Sequence, residues 1–314
     1  MRNWPRRRAY PSVALICVVL LVAVLLFSTP ASAAESAALA GVENATVNLY
    51  CRLRAGGKTL SASGSGVFIN ERGVILTNAH VAQYFLLPEK KGRATTRCSV
   101  RTGSPARAQY DATVLYFPAR WVKENAAELG KAAPRGTGEN DFALLAITSA
   151  KRGSLPDTFS ALAVDLTERI PDGEAITIAG YPSEGLNFDE VSDSLALTTA
   201  SSTVTNTTSF RRGADADILT LASSAAGATG VSGGPVIDAD GEVVGIAATK
   251  SAKKNDRTLR AITLSYIDRA LRAEVGLPLA SFLSRDPAAR AESVNTDIPQ
   301  ETVNTITKGV LKRR

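Results

Sequence analysis

The stretch TNAHV at residues 77–81 contains His80, the only histidine in a chain of 314 residues. It lies shortly after an apolar, strand-like run, GVFI at residues 66–69. Far downstream, GVSGGP at residues 230–235 places Ser232 in a glycine-rich turn. A serine hydroxyl is a weak nucleophile at neutral pH unless an adjacent base takes its proton. His80 is the one imidazole in the sequence that can serve as that base.

A carboxylate stands between these two stretches. Asp141 begins the apolar run in NDFALL, residues 140–145, whereas Asp111, Asp157 and Asp165 are followed by no such run. The apolar run would bury the Asp141 carboxylate beside the imidazole. The chain order is therefore histidine, aspartate, serine, a combination that indicates nucleophilic acyl transfer.

These stretches resemble the chymotrypsin-like (trypsin-fold) serine peptidases, and more narrowly the bacterial branch that includes the HtrA-type proteases. The resemblance extends over roughly residues 44–274. It implies that His80 is the general base, that Asp141 orients it and that Ser232 is the nucleophile. It also implies that the backbone N–H groups of Gly230 and Ser232 form the oxyanion hole.

The glycines around Ser232 support this interpretation on chemical grounds. They let the backbone adopt conformations closed to other residues, so that two amides can converge on an oxygen that becomes negative in the transition state. Each such donor is typically worth about 3 to 4 kcal/mol. Taken alone, GVSGGP could be an ordinary turn, His80 a structural histidine and Asp141 a strand-end residue. Their combination favours the catalytic interpretation.

The sequence also departs from the family pattern. Val231 replaces the aspartate that digestive relatives place before the nucleophile, so activation by pairing with a newly cut N-terminus is not expected. Ala248 aligns with a serine that supports the buried aspartate in many relatives, so Asp141 is expected to lack that hydrogen bond. We expect Ala225, Ala226 and Ala248 to bind substrate in a specificity pocket without a carboxylate, which favours a small apolar residue before the scissile bond.

The N-terminus has the features of a secretory signal peptide. Basic residues precede an apolar stretch at residues 13–27, and a pattern of small residues ends at Ala33. The apolar stretch is shorter than the ~20 residues that a spanning helix needs. We therefore expect cleavage near Ala33 and a periplasmic or secreted protein, with an uncleaved signal anchor as the alternative. The basic residues concerned are Arg2, Arg6, Arg7 and Arg8.

Net charge gives no indication of a nucleic-acid surface, and no nucleic-acid partner is expected. Removing the four arginines of residues 1–33 lowers the formal net charge from +6 to +2, whereas a nucleic-acid-binding chain would keep its basic excess in the mature part. No membrane association is expected after cleavage. No cofactor and no metal site are expected, and the oligomeric state is left open.

Two cysteines remain after the signal, Cys51 and Cys98, while Cys17 lies within it. In an oxidising compartment two cysteines favour one disulfide, here enclosing His80 within its loop. The alternative is two buried free thiols.

The domain organisation follows from strand and turn signals. Many short β-branched runs separated by glycine, proline, asparagine and aspartate indicate an all-β fold. The resemblance specifies two six-stranded β-barrels with the triad in the cleft between them, and a helix at residues 266–275 that closes the fold. We expect a signal peptide at residues 1–33, a protease domain at 34–275, and a disordered tail at 276–314 that is too short for a PDZ domain.

The sequence thus predicts a serine endopeptidase that acts on protein or peptide substrates through an acyl-enzyme. Two alternatives remain. One is a non-catalytic secreted binding module on the same fold, which has no chemical reason to retain all three triad residues. The other is a serine esterase with the same triad. An α/β-hydrolase form of that esterase would place histidine last, the opposite of the order seen here.

Overall fold

The computed structural model describes residues 30–91, 94–131, 136–211, 216–222, 230–250, 258–284, 286–287 and 298–312. The chain divides into two compact units, residues 1–40 and residues 41–314. Helix α1 spans Pro30–Ala45. The second unit contains two β-barrels.

The first barrel closes because its first strand pairs on both sides. β1 is antiparallel to β2 and also to β5, so the order β1-β2-β3-β7-β6-β5 returns to its starting strand. Valine, leucine and isoleucine residues on these strands are fully buried and form the barrel core. The strands are β1 Thr46–Ala55, β2 Lys58–Phe68, β3 Val74–Thr77, β4 Lys90–Lys91, β5 Ala94–Thr102, β6 Arg107–Tyr116 and β7 Ala143–Ala150, with β4 paired to the outer edge of β5.

The second barrel is also closed and six-stranded, in the order β10-β13-β12-β11-β8-β9. Its core is a separate cluster of aliphatic side chains. The predicted pair of six-stranded barrels is therefore confirmed. The strands are β8 Ala175–Gly180, β9 Thr198–Thr208, β10 Ile218–Leu221, β11 Pro235–Ile237, β12 Val243–Lys250 and β13 Leu259–Thr263.

Helices connect and flank the barrels. The predicted closing helix is present as α5, Leu264–Val275. The Thr263 side chain accepts the Tyr266 N–H at its start, and Gly276, in the left-handed conformation, ends it. The remaining helices are α2 Ala79–Ala82, α3 Ala119–Glu124, α4 Phe188–Asp193, α6 Leu279–Ser284 and α7 Gln300–Lys312, with a 3₁₀ turn at Gln83–Leu86.

The expectation of a disordered tail is wrong for residues 279–284 and 300–312, which form α6 and α7. Ile306 and Val310 lie four residues apart on one face of α7, and both are buried in the first-barrel cluster. The polar composition of the tail concealed this narrow apolar stripe. Its burial against the first barrel is what stabilises α7.

Candidate active site

Strand pairing brings His80 and Asp141 together. β3 is antiparallel to β7, with Thr77 opposite Ala143, so the end of β3 and the start of β7 lie at the same edge of the barrel. His80 follows β3 by three residues and Asp141 precedes β7 by two. The Asn78 side chain closes the gap, because its Nδ2 donates to the Asp141 carbonyl oxygen at 2.8 Å.

The Asp141 carboxylate holds the His80 imidazole through two bonds. Its Oδ2 lies 2.8 Å from His80 Nδ1, and its Oδ1 accepts the His80 backbone N–H at 2.9 Å. Both side chains are buried. The described residues supply no further hydrogen bond to this carboxylate. The bond to Nδ1 leaves Nε2 as the ring nitrogen available to a nucleophile.

The residue before Asp141 has an unusual backbone. Asn140 has a φ of 58°, in the left-handed region where asparagine is one of the few tolerated residues besides glycine. Tyr266 Oη on α5 accepts the Asn140 N–H at 3.0 Å and donates to Asn140 Oδ1 at 3.2 Å. Burial raises the pKa of Tyr266 above its usual range, so the phenol stays protonated and able to donate. The position of Asp141 is therefore tied to α5.

The turn that carries Ser232 requires its glycines. Gly230 has a φ of 104°, and a Cβ there would lie 2.5 Å from the Tyr181 carbonyl oxygen. Gly233 has a φ of 86°, and its Cβ would lie 2.3 Å from the Ser65 carbonyl oxygen. A side chain at Gly233 would therefore push the turn away from the first barrel, and one at Gly230 would clash with the segment that follows β8.

Ser65 on β2 joins the turn that carries Ser232 to the first barrel. Its backbone N–H donates to the Ser232 carbonyl at 2.8 Å, and its hydroxyl donates to the Gly230 carbonyl at 2.8 Å. The same hydroxyl accepts the Tyr181 N–H at 2.9 Å. The Val231 carbonyl accepts the Gly234 N–H. The Val231 carbonyl and the Ser232 N–H belong to the same trans peptide, so they point in opposite directions. The Ser232 N–H therefore points away from the Gly234 N–H that the Val231 carbonyl accepts.

His80, Ser232 and Gly230 line one cavity of about 390 Å³. Half-buried Ser232 and buried His80 thus share a space into which a substrate can enter. Its remaining lining is mostly apolar, which suits a site from which water is displaced. The described residues contain no group of three or more histidine, cysteine, aspartate or glutamate side chains placed to hold a metal ion.

The disulfide prediction is confirmed. Cys51 on β1 stands directly opposite Cys98 on β5, and the two sulfurs are bonded. Cys51 also lines the cavity. The bridge therefore fixes the strand that forms one side of the site.

The predicted specificity residues have different outcomes. Ala225 and Ala226 lie outside the described residues. Ala248 is on β12 and is buried in an apolar cluster with Ile246 and Ile262, away from the lining of the cavity that holds His80. Val231 is likewise buried, in the second-barrel core, so it occupies an apolar environment.

Sequence reasoning missed the residues that support the site. Ser65, Asn78, Asn140 and Tyr266 each contact a backbone or side chain of the candidate triad segments. Asn78 and Asn140 lie in the same two short stretches as His80 and Asp141, and this proximity could have identified them. Ser65 and Tyr266 give no such local signal, because their partners are more than 100 residues away.

The barrels and the cleft residues define a chymotrypsin-like serine peptidase fold. Residues 64–246 match the trypsin-like peptidase domain family, and this match covers more than half of the chain. The chain belongs to that family. No curated protein matches the chain. Among the described helices, none has the length and apolar character that crossing a bilayer requires.

Proposed function

We propose that the protein is a serine endopeptidase that hydrolyses peptide bonds through Ser232, His80 and Asp141. The single observation that carries this proposal is the cavity shared by His80 and Ser232, with the imidazole held by Asp141 at 2.8 Å. A carboxylate on Nδ1 orients the ring and stabilises the imidazolium formed during the reaction.

The proposed reaction proceeds in two halves. His80 Nε2 takes the Ser232 Oγ proton as Oγ attacks the peptide carbonyl carbon. The resulting oxyanion accepts hydrogen bonds from the backbone N–H groups of Gly230 and Ser232. His80 then gives the proton to the departing amine, the C–N bond breaks, and an ester forms on Ser232. Water, deprotonated by His80, attacks this ester, and the proton returns to Oγ.

The finer assignments belong to the same proposal. We infer a periplasmic or secreted protein whose signal, residues 1–33, is cleaved near Ala33, and whose protease domain resembles the HtrA-type branch. Protein or peptide substrates are the expected partners. A small apolar residue before the scissile bond is expected from Ala225 and Ala226.

A fluorophosphonate probe tests the proposal directly, because it labels an activated serine whatever the substrate. Ser232→Ala and His80→Ala should each abolish labelling and lower peptide hydrolysis by several orders of magnitude, on the order of 10⁶ for the triad residues of a comparable enzyme. Ser61→Ala is the matched control, since Ser61 lines the same cavity and lies on β2. It should label normally.

The outcomes separate the alternatives. Failure of the wild-type protein to label, with the fold intact by circular dichroism, would favour the non-catalytic binding module. Labelling of Ser232 together with hydrolysis of esters but not peptides would favour the esterase.

A further inference from the structure

One side of the cavity beside Ser232 can be assigned to the leaving group of the proposed reaction. In the proposed reaction the departing amine receives its proton from His80 Nε2, so the half of the substrate after the scissile bond lies next to His80. The cavity that His80 lines is also lined by Val81 and Tyr84, which follow His80 in the chain, and by residues of the hairpin of β1 and β2. We assign this part of the cavity to the leaving group.

The leaving-group side is apolar and is partly walled by the C-terminal helix. Leu60 and Leu186 line the same cavity and are 45% and 40% exposed, so two large apolar side chains of the cavity contact solvent. Val310 of α7 lines the same cavity. Exposed apolar surface inside a cleft is typical of a binding site for an apolar group.

Charge in this part of the cleft is largely neutralised. Apart from His80, Lys131 is the one aspartate, glutamate, lysine or arginine in the described lining. Its ammonium forms an ion pair with Glu128 on the same turn. A substrate carboxylate or ammonium placed here would lose solvent without gaining an unpaired partner, which disfavours charged residues.

Helix α7 is fixed to the segment that carries His80. A Cβ on Gly309 would lie 2.7 Å from Leu129 Cβ, and one on Gly130 would lie 2.9 Å from Val310 Cα, so α7 packs directly on this loop. The Gly130 N–H donates to Gln83 Oε1, and Gln83 Nε2 donates to the His80 carbonyl oxygen at 2.6 Å. Gln83 is fully buried. The wall is thus continuous with the active-site backbone.

We propose that Val310 of the C-terminal helix is a specificity-determining residue, which together with Leu60 and Leu186 selects an apolar side chain immediately after the scissile bond. This inference rests on the proposed function. It assigns to α7 a role in substrate choice in addition to its role in packing.

The test uses peptides that share one acyl half and differ only in the residue after the scissile bond, namely leucine, alanine, aspartate or lysine. The ethyl ester of the same acyl half places no side chain in the cavity. Wild-type kcat/KM should be at least about tenfold higher for leucine than for aspartate or lysine. Val310→Ala should lower the leucine-to-alanine ratio by about tenfold and leave the ester rate unchanged.

Two control variants separate substrate contact from loosening of the helix. Ile306→Val weakens α7 packing at a buried position that does not line the cavity, and Lys308→Ala alters an exposed position on the same helix. Both should keep the wild-type leucine-to-alanine ratio. A wild-type enzyme without the preference would overturn the inference, as would a Val310→Ala change that affects ester and peptides equally.

The probe keeps this inference distinguishable from the proposed function. Normal labelling of Ser232 in wild type and in Val310→Ala, with identical peptide ratios, overturns the specificity role alone. Absence of labelling in the wild type overturns both.

Discussion

At the scale of single residues, Ser65 connects the two halves of the candidate active site. It is fully buried, and its hydroxyl holds both the Gly230 carbonyl and the Tyr181 N–H. The Gly230 peptide belongs to the turn whose amides would stabilise the oxyanion. Under the proposed function Ser65 would be a positioning residue, because it contacts Gly230 and would act through it and not on the substrate.

Ser65→Ala should lower kcat by roughly tenfold with little change in KM, less than the 10²- to 10³-fold loss of an oxyanion donor itself. It should also reduce the free energy of unfolding by about 1 to 3 kcal/mol, because two buried polar groups lose a partner. Steady-state kinetics and urea unfolding measure the two effects. Ser149→Ala, at an exposed position on β7, is the control. A pure stability loss with unchanged kcat would contradict the positioning role.

At the scale of elements, the C-terminal helix depends on how closely α7 approaches the Leu129 loop. Replacing glycine by alanine inside a helix normally stabilises it by roughly 0.5 to 1 kcal/mol. At Gly309 the sign should reverse, since the new methyl would lie 2.7 Å from Leu129 Cβ, an atom close to the backbone that cannot swing aside.

Gly309→Ala is therefore expected to destabilise the protein by about 1 to 3 kcal/mol, the usual cost of overpacking. Asn304→Ala, at an exposed position of α7, should be neutral or slightly stabilising. Thermal unfolding of the two variants beside wild type measures the difference. An increase in melting temperature for Gly309→Ala would show that α7 does not pack as described.

At the scale of the whole molecule, buried Arg101 and Tyr181 join the barrels, the latter by a hydrogen bond from its hydroxyl to the Gly103 carbonyl. Arg101 on β5 donates through its Nη atoms to the Val191 and Ser192 carbonyls of α4 and through Nε to Asn48 Oδ1. Burial lowers the pKa of Arg101, but the guanidinium keeps three acceptors. Tyr181 is also fully buried, and burial raises its pKa to about 12.

Stability should consequently fall at alkaline pH. An unfolded tyrosine titrates near pH 10, so the folded state binds the Tyr181 proton more tightly. The resulting stabilisation is complete below about pH 10 and is lost as the pH rises from about 10 to about 12, on the order of 3 kcal/mol for a shift of about two units. Urea unfolding at several pH values should show a shallower decline for Tyr181→Phe than for wild type. Parallel curves would refute this contribution.

The sequence by itself determined the all-β class and the order of the candidate triad, because short β-branched runs, turn residues and the glycines around Ser232 are local signals. The two barrels were predicted from the resemblance to trypsin-fold peptidases, and the disulfide from the two cysteines that remain after the signal. The assignment of His80, Asp141 and Ser232 stays a prediction until Ser232 is tested, but the structure does hold His80 against Asp141.

Only the tertiary structure decided which residues support the site and what walls it. Ser65 and Tyr266 act through partners 165 and 126 residues away, and no local pattern encodes such pairings. Helix α7 could not be predicted because its two buried apolar residues, Ile306 and Val310, provide too little surface to stabilise a helix alone. These side chains stabilise the helix only when they pack against the first barrel, and that surface forms only when the chain folds.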